Sequence, residues 1–563
     1  MNNKETIVAA LHSRFAGKKV LIWGLGREGK ASFDFFAANF RQLELETLAV
    51  SDLNPEPCAE CLEKAEAYGI AVSSYSAAAY PPDLSQFDLV LKSPGISCKN
   101  YVYEAKATAE NSFSAPCLQI APQTEITCQV DLFLQIYGQQ TVAVTGTKGK
   151  STTTSLLYHL LDCAEQKSAL LGNIGIAAFS RIFDLGKDVA ALELSCHQLE
   201  FTTHTAKVAL LTNLYPEHLD HYHNLEEYYQ SKINLIRQPA GRQWVILPAY
   251  EDNLLQRAVP VLQQEQYVFY LCRNQNDLAN LQKYYDVLPR QELKKKAYIF
   301  TFSAEKNELT FSGISLENCS ENAEQSNVAA LEENSWSKCT LQFSAQLQIL
   351  HMKLDSVLAV MATFAYYCEQ KIAAGRSLVL PELWAEFQAE QKEHIISCLQ
   401  EFTGLEHRLQ YVGTYGSHPV YNDSICTIPL AAIKALTALP QCRTIILGGL
   451  DRGLDYTELY DFLKQHEYNV IGLPTTGHTL TAQLAVGASA AELKRYYQAK
   501  DMAEAVNLAY KITAPGKGIL LSPAAASYNT YKNFEERGRC FVAEIKRQAP
   551  ASGASGVSGA ETK

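Results

Sequence analysis

Short apolar runs recur along the whole chain, and most end in a glycine or polar loop that leads into a longer amphipathic stretch. The clearest are Lys19–Trp23, Thr47–Val50, Leu89–Leu91, Thr141–Val144, Val189–Leu194, Val208–Leu211 and Trp244–Leu247. After about Thr403 come Val420–Tyr421, Thr444–Leu447, Val470–Leu473 and Gly518–Leu521. Such runs are apolar throughout rather than alternating, as in strands covered on both faces. Helix-like runs follow, from Gly29 to Phe40 and over Thr153–Leu161. Strand, loop and helix in repeated order predict an α/β chain built on mostly parallel sheets. The rhythm loosens between about 274 and 341, where Asn, Gln, Glu and Lys are dense. That stretch reads as an insertion with strands of its own at Ala297–Phe302 and Glu308–Phe311. The Ala/Ser/Gly-rich end, residues 549–563, reads as a disordered tail.

Two loops in this pattern carry chemistry. The first, Thr145-Gly-Thr-Lys-Gly-Lys-Ser-Thr152, lies between a strand-like and a helix-like run. Its glycines let backbone N–H groups curl around phosphate oxygens, and the following helix adds its positive end. Lys150 can reach terminal phosphates and the Ser151 hydroxyl can ligate Mg²⁺. Only two residues separate Gly146 from Gly149, where the usual nucleotide loop has four. The second loop, Gly24-Leu-Gly-Arg-Glu-Gly29, follows the first strand-like run, and Asp52 ends the next one. This is the spacing of a dinucleotide-binding turn with its ribose carboxylate. Alone it is compatible with many nucleotides, including a nicotinamide cofactor. Ser93-Pro94-Gly95 ends a third strand-like run, where parallel sheets place ligands.

Composition narrows the setting. At 563 residues the chain is too long for one core, so about three domains are expected. The residues are 47% apolar and 19% charged, as in a folded soluble protein. A net charge of −11 argues against broad nucleic-acid or anionic-membrane binding. No apolar run approaches the roughly 18 residues needed to span a bilayer. The first twenty residues lack the apolar core of a signal peptide. Fifteen scattered cysteines, with Cys58 and Cys61 the one CxxC pair noted, read as reduced thiols of a cytoplasmic protein.

The middle of the chain gathers polar groups at strand ends. Gly172-Asn173-Ile174-Gly175 makes a tight loop carrying an amide. Glu193 closes an apolar run, where a carboxylate is costly without a cation. His218, His221 and His223 follow the strand at 208–211, and Lys232 stands fourteen residues after His218. The histidines alone could form a zinc site, though no matching Cys or His cluster completes it. With the phosphate loop, Mg²⁺ held by Ser151 and Glu193 is the more economical reading.

Together these motifs resemble the Mur ligases, ATP-dependent amino-acid ligases of peptidoglycan synthesis. The family's Gly-Thr-x-Gly-Lys-Ser/Thr loop is matched at Gly146–Ser151. Its Gly-Asn-Ile-Gly is matched at 172–175 and its Glu-Leu-Ser-Ser-Phe-Gln-Leu-Glu appears as Glu193-Leu-Ser-Cys-His-Gln-Leu-Glu200. Its Asn-x-x-x-Asp-His-Leu-Asp appears as Asn213-Leu-Tyr-Pro-Glu-His-Leu-Asp220. His407-Arg408, Asn422-Asp-Ser424, Gly448-Gly-x-Asp-Arg452 and the 522–538 segment are similar to the D-glutamate-adding branch. The family's His-Asn-x-x-Asn is altered here to His351-Met-Lys-Leu-Asp355, and Ile349 replaces a preceding glycine.

The resemblance implies three domains with mostly parallel sheets. A Rossmann-like UDP-binding domain would span 1–128, and a P-loop ATPase-like domain 129–404 with the insertion about 274–341. A Rossmann-like amino-acid-binding domain would span 405–548. It implies joining of D-glutamate to UDP-N-acetylmuramoyl-L-alanine by ATP, through an acyl phosphate, in a cytoplasmic monomer that binds neither nucleic acid nor membrane. ATP would meet Gly146, Thr147, Lys148, Gly149, Lys150, Ser151 and Thr152, with Arg408 and Asp423 from the third domain. Two Mg²⁺ ions would be held by Ser151, Glu193, His218 and a carbamate on Lys232. The UDP substrate would meet Gly24, Leu25, Gly26, Arg27, Asp52, Ser93, Pro94, Gly95 and Asn173. D-Glutamate would meet Thr427, Arg452, Ser527 and Phe534. Since these contacts come from different domains, closure would precede chemistry. A sister ligase adding another amino acid, or a relative that binds nucleotide without ligation, are the alternatives.

Overall fold

The computed structural model describes residues 3–99, 101–103, 118–120, 123–163, 166–174, 176–286, 291–316, 338–344 and 347–548. Gly175, the centre of the 274–341 stretch and the 549–563 tail lie outside them. The chain divides into two compact units, residues 1–401 and 402–563.

The first unit holds two principal sheets. One contains β1 (Lys19–Trp23), β2 (Thr47–Ser51), β3 (Val72–Tyr75) and β4 (Leu89–Lys92). After a separate pair, β5 (Tyr101–Tyr103) and β6 (Leu118–Ile120), it is completed by β7 (Glu125–Thr127). The order is β3-β2-β1-β4-β7, parallel throughout. From β1 the chain fills one side and then crosses to β4 on the other. The crevice this reversal opens lies at the carboxyl ends of β1 and β4. The Gly24–Gly29 and Ser93–Gly95 loops occupy those two strand ends.

The second sheet comprises β8 (Thr141–Thr145), β9 (Ser168–Gly172), β10 (Val189–Glu193), β11 (Val208–Leu211), β12 (Gln243–Pro248) and β13 (Gln266–Cys272). It continues through β14 (Ala297–Ser303), β15 (Glu308–Ser315) and β16 (Lys338–Thr340), in the order β16-β15-β14-β13-β12-β11-β8-β10-β9. Every residue of β8, β10, β11 and β12 is buried, as their unbroken apolar character predicted. The strands read inside the insertion extend this sheet. β14 pairs parallel with β13, and β15 and β16 return antiparallel. The physical reason is the apolar face of these strands. Phe300 and Phe311 stack at 4.6 Å beneath Phe364 and Trp384, from helices Leu350–Ala373 and Leu380–Glu401.

One apolar cluster runs through both sheets of this unit, and a second covers the other face of the first sheet, around Leu21, Trp23 and Val90. The former continues from Ile7 and Phe15, past Phe133 and Leu171, to Tyr270 and Leu316. The helix Gln129–Tyr137, buried along most of its length, joins the two halves.

The second unit contains β17 (Gln410–Tyr415), β18 (His418–Asn422), β19 (Cys442–Leu447), β20 (Asn469–Gly472), β21 (Tyr496–Gln498) and β22 (Gly518–Leu521). Their order is β17-β18-β22-β19-β20-β21, parallel except for the β17–β18 hairpin. All three principal sheets are thus mostly parallel, the α/β class expected.

Candidate active site

The phosphate loop is shaped by its neighbours before any ligand arrives. Gly146 (φ 145°) and Gly149 (φ 81°) adopt backbone conformations that L side chains rarely take. A side-chain carbon on Gly146 would collide with Thr212 Oγ1. Thr212 Oγ1 donates to Lys148 O at 2.6 Å, and Lys148 N donates to Asn213 Oδ1 at 2.8 Å. Thr147 Oγ1 lies 2.9 Å from Tyr228 Oη. Gly149 caps the helix Lys150–Leu161, whose first N–H groups are free of intrahelical partners. Ser151 is buried on that first turn. Lys150 Nζ donates to Thr147 O at 2.9 Å, and Lys148 pairs with Glu217. A concave row of backbone donors followed by a helix N-terminus fits a phosphate chain.

Glu193, at the end of β10, is fully buried. Its Oε1 accepts from Asn173 Nδ2 at 2.8 Å, while Oε2 is buried with no partner among the described residues. A buried carboxylate oxygen in that state calls for a cation. The site is therefore suited to a hard divalent ion, with the Ser151 hydroxyl on the neighbouring loop.

Lys232 lies on the helix Leu225–Arg237, capped by the Asn224 side chain. Its Nζ donates to Gly146 O at 2.8 Å and stands 5.0 Å from the Tyr228 ring centre. Burial pushes this lysine down to about 7, with the charge of Lys150 adding to the effect. His218, in the loop after β11, has φ 58° and is also shifted downward by burial. Lys150, Asn173, His218 and Lys232 line one open cleft of about 420 Å³, together with Pro94 and Gly95 from the first sheet.

The glycine loop of the first sheet is held from within. Leu25 N donates to Asp52 Oδ2 at 2.7 Å and Asn54 N to Oδ1 at 3.0 Å. Asp52, expected to meet a ribose, thus has both carboxylate oxygens on the backbone. Ser93 Oγ donates to Gly24 O, and Arg27 reaches Gly172 O at 3.1 Å.

Further residues around the cleft were not assigned from sequence. Lys92, its side chain 1% exposed, pairs with Glu200 at 3.0 Å, and Glu200 meets His221 Nε2 at 3.3 Å. Burial works against the Glu200 carboxylate, but His221 and Lys92 together hold it below its usual range. The His221 ring centre is 4.2 Å from that of His197, and His197 lies 4.8 Å from His218. Burial and these two neighbours push His197 down to about 3. Among the described residues, no three His, Cys, Asp or Glu side chains are arranged to hold one metal ion, so the zinc alternative finds no cage. Glu200 closes the Glu193–Glu200 motif read from the sequence, and Lys92 stands immediately before Ser93-Pro94-Gly95. Their signal was a charged residue at the buried end of an apolar strand and another one turn into a helix.

In the second unit, Asp423 is buried, accepting from Leu409 N at 3.1 Å and Ser522 Oγ at 2.8 Å. Burial pushes it up to about 6. Arg408 and Arg452 are exposed. Thr427, Arg452 and Ser527 follow the carboxyl ends of β18, β19 and β22, three strands adjacent in the sheet. Phe534 opens the last helix. Arg537 on that helix is 1% exposed and braces the Asn422–Ser424 loop through Ser424 Oγ and O.

These features define a P-loop nucleotide-binding protein whose phosphate loop adjoins a cleft shared with a Rossmann-like sheet. Residues 144–312 match the Mur ligase middle domain. It is 29% identical to a UDP-N-acetylmuramoyl-L-alanine–L-glutamate ligase of Salinispora tropica, over 95% of this chain and 99% of that one. It is also 29% identical to a UDP-N-acetylmuramoylalanine–D-glutamate ligase of Listeria innocua, over 94% and 96%. A D-glutamate ligase of Bacillus cytotoxicus is 28% identical over 95% and 98%. No helix among the described residues is long and apolar enough to cross a membrane.

Proposed function

We propose that this protein is an ATP-dependent ligase that joins D-glutamate to UDP-N-acetylmuramoyl-L-alanine in peptidoglycan precursor synthesis. The observation that carries the reading is the cleft. It brings a phosphate-loop lysine, Lys150, together with loops of a separate Rossmann-like sheet. A carboxylate is a poor electrophile, so it must first gain a leaving group. Transfer of the γ-phosphoryl group gives an acyl phosphate, which the amine of the incoming amino acid attacks. Phosphate leaves as the amide forms.

In this reading Gly146–Thr152 cradle the phosphates, and Lys150 neutralises charge as the substrate carboxylate approaches. Gly24–Arg27 and Ser93–Gly95 orient the UDP substrate, with Asp52 and Ser93 fixing the shape of the loop. Ser151 and Glu193 would hold one Mg²⁺, and His218 and Lys232 a second. Bound there, the ions would screen the phosphoryl oxygens. The lowered Lys232 supplies the neutral amine that a carbamate requires, and carbamylation would turn it into an oxygen ligand. Arg452 would pair with an amino-acid carboxylate, and Thr427, Ser527 and Phe534 would complete that pocket.

The Salinispora relative favours a second reading, the same reaction with L-glutamate. Phosphate release from ATP, measured with UDP-N-acetylmuramoyl-L-alanine and a panel of D- and L-amino acids, separates the two. Release with D-glutamate alone supports the first, and release with L-glutamate the second. No release with any amino acid would leave a nucleotide-binding relative without ligase activity.

A further inference from the structure

The altered motif His351–Asp355 puts a carboxylate against the phosphate loop. A side-chain carbon on Gly149 would come within 2.6 Å of Asp355 Oδ2 and 2.9 Å of Oδ1, so the carboxyl packs directly on this glycine. Asp355 is half-buried on the first turns of the helix Leu350–Ala373, which packs along the helix that the loop initiates. No hydrogen bond or ion pair reaches it among the described residues. An acceptor-only anion beside a cradle for polyanions opposes the ligand the cradle is shaped to hold.

We propose that Asp355 is a proton-coupled residue of the nucleotide site, taking up one proton when nucleotide phosphates occupy the loop. The inference rests on the nucleotide reading above and deepens it. As the carboxylic acid, Asp355 presents no charge to the phosphates and gains a donor.

The surroundings agree. Burial pushes Asp355 up to about 7, and the negative charge of Glu251 adds to this. Glu251 follows β12 and accepts from Tyr215 Oη at 2.8 Å. Tyr250 and Tyr215 also feel the Asp355 charge, and both are shifted upward, by burial first. Arg273, after β13, is the cation on this side. It forks onto Asp277 at 3.0 and 3.1 Å and stacks on Tyr250 at 4.3 Å, so its charge is committed elsewhere. On the loop side stand Lys150, donating to Thr147 O, and Lys148, paired with Glu217. On its own helix, His351 is shifted downward by burial, and Lys353 bonds Asn307 Oδ1 at 2.7 Å. The helix Leu380–Glu401 meets this one farther along, where Glu386 and Glu390 face Lys371.

The sign follows from a free-state value near 7 that rises on binding. Below pH 7 the carboxyl is already protonated and affinity is at its ceiling. Above it, each pH unit costs up to roughly tenfold in Kd. The test is isothermal titration of the full chain with Mg·ADP at pH 6 and pH 8, in two buffers of different ionisation enthalpy. The wild type should take up close to one proton at pH 8 and almost none at pH 6, with Kd about tenfold weaker at pH 8. Asp355→Asn should bind at both pH values without that proton, and more tightly than wild type at pH 8. Comparing the two proteins cancels the ionisation of the nucleotide itself. Wild-type binding without proton uptake at pH 8, or uptake that persists in D355N, would overturn the proposal. Absence of ADP binding at every pH would overturn both the proposal and the nucleotide reading, a result distinct from binding without uptake.

Discussion

Replacing Lys92 with Met tests the buried charge network between the two sheets of the first unit. The side chain keeps its length and loses its charge. Lys92 is 1% exposed and Glu200 15% exposed, and beside their 3.0 Å contact Glu200 also meets His221 at 3.3 Å while Lys92 also reaches Ser93 O at 3.4 Å. Removing one member of a buried pair costs about 3–5 kcal/mol, because the other charge stays desolvated. His221 remains to Glu200, which sets the expectation near the lower end, about 3 kcal/mol at pH 7. The Glu200 carboxyl is held below its ordinary range, so its contribution is present above the unfolded value and lost as pH falls through the folded one. The gap between wild type and variant should therefore shrink below about pH 4.5. Equilibrium urea unfolding at several pH values measures it, and the double variant Lys92→Met/Glu200→Gln should recover a large part of the loss. A K92M protein within about 1 kcal/mol of wild type at pH 7, or a gap that does not change with pH, would refute the reasoning.

Lys150→Ala should abolish ATP-dependent ligation while UDP-substrate affinity, read by titration calorimetry, stays close to wild type; parallel loss of both would contradict the assigned roles. Arg452→Ala should raise the KM for glutamate by at least tenfold, since the amino acid loses a bidentate partner, and an unchanged KM would return Arg452 to the surface. Lys232→Ala should lose most turnover, with short carboxylates restoring part of it and bicarbonate depletion slowing only the wild type. Near-normal turnover of K232A would remove Lys232 from the metal site.

The phosphate loop and Glu193 stand at the ends of apolar runs, so their signals are local to the chain. His218 lies in the loop after β11 and Lys232 within the helix that follows, and the family resemblance singled those two out. In the two Rossmann-like sheets the apolar runs match β1, β2 and β4 of the first and β18, β19, β20 and β22 of the last to within a residue or two, whereas β3, β7, β17 and β21 carry no such run. What the sequence hid depends on crossings between distant segments. Lys92 and Glu200 are 108 positions apart in numbering and meet only because β4 of one sheet faces the helix after β10 of the other. Asp355 reads as a lost amide until its helix is laid beside the phosphate loop. The Ala297–Phe302 and Glu308–Phe311 runs read as strands of an insertion because polar residues crowd around them. Their Phe300 and Phe311 rings face a layer contributed by helices from a later stretch of chain.

Ser97 and Lys99 grip the segment after β11 by its main chain, Ser97 Oγ on His221 O at 2.7 Å and Lys99 Nζ on Leu219 O at 3.0 Å. A bond addressed to a carbonyl does not depend on which side chain the residue carries. Mutational drift at the exposed Leu219 can therefore proceed without unfastening the two sheets, whereas drift at 97 or 99 cannot. The tolerance is one-sided at that bond: the receiving residue is free to vary its side chain, while the gripping loop bears the constraint. His221 is held a second time, by its ring contact with Glu200. A substitution library at 97, 99 and 219 should record that asymmetry as sharply unequal survival on the two sides of one hydrogen bond.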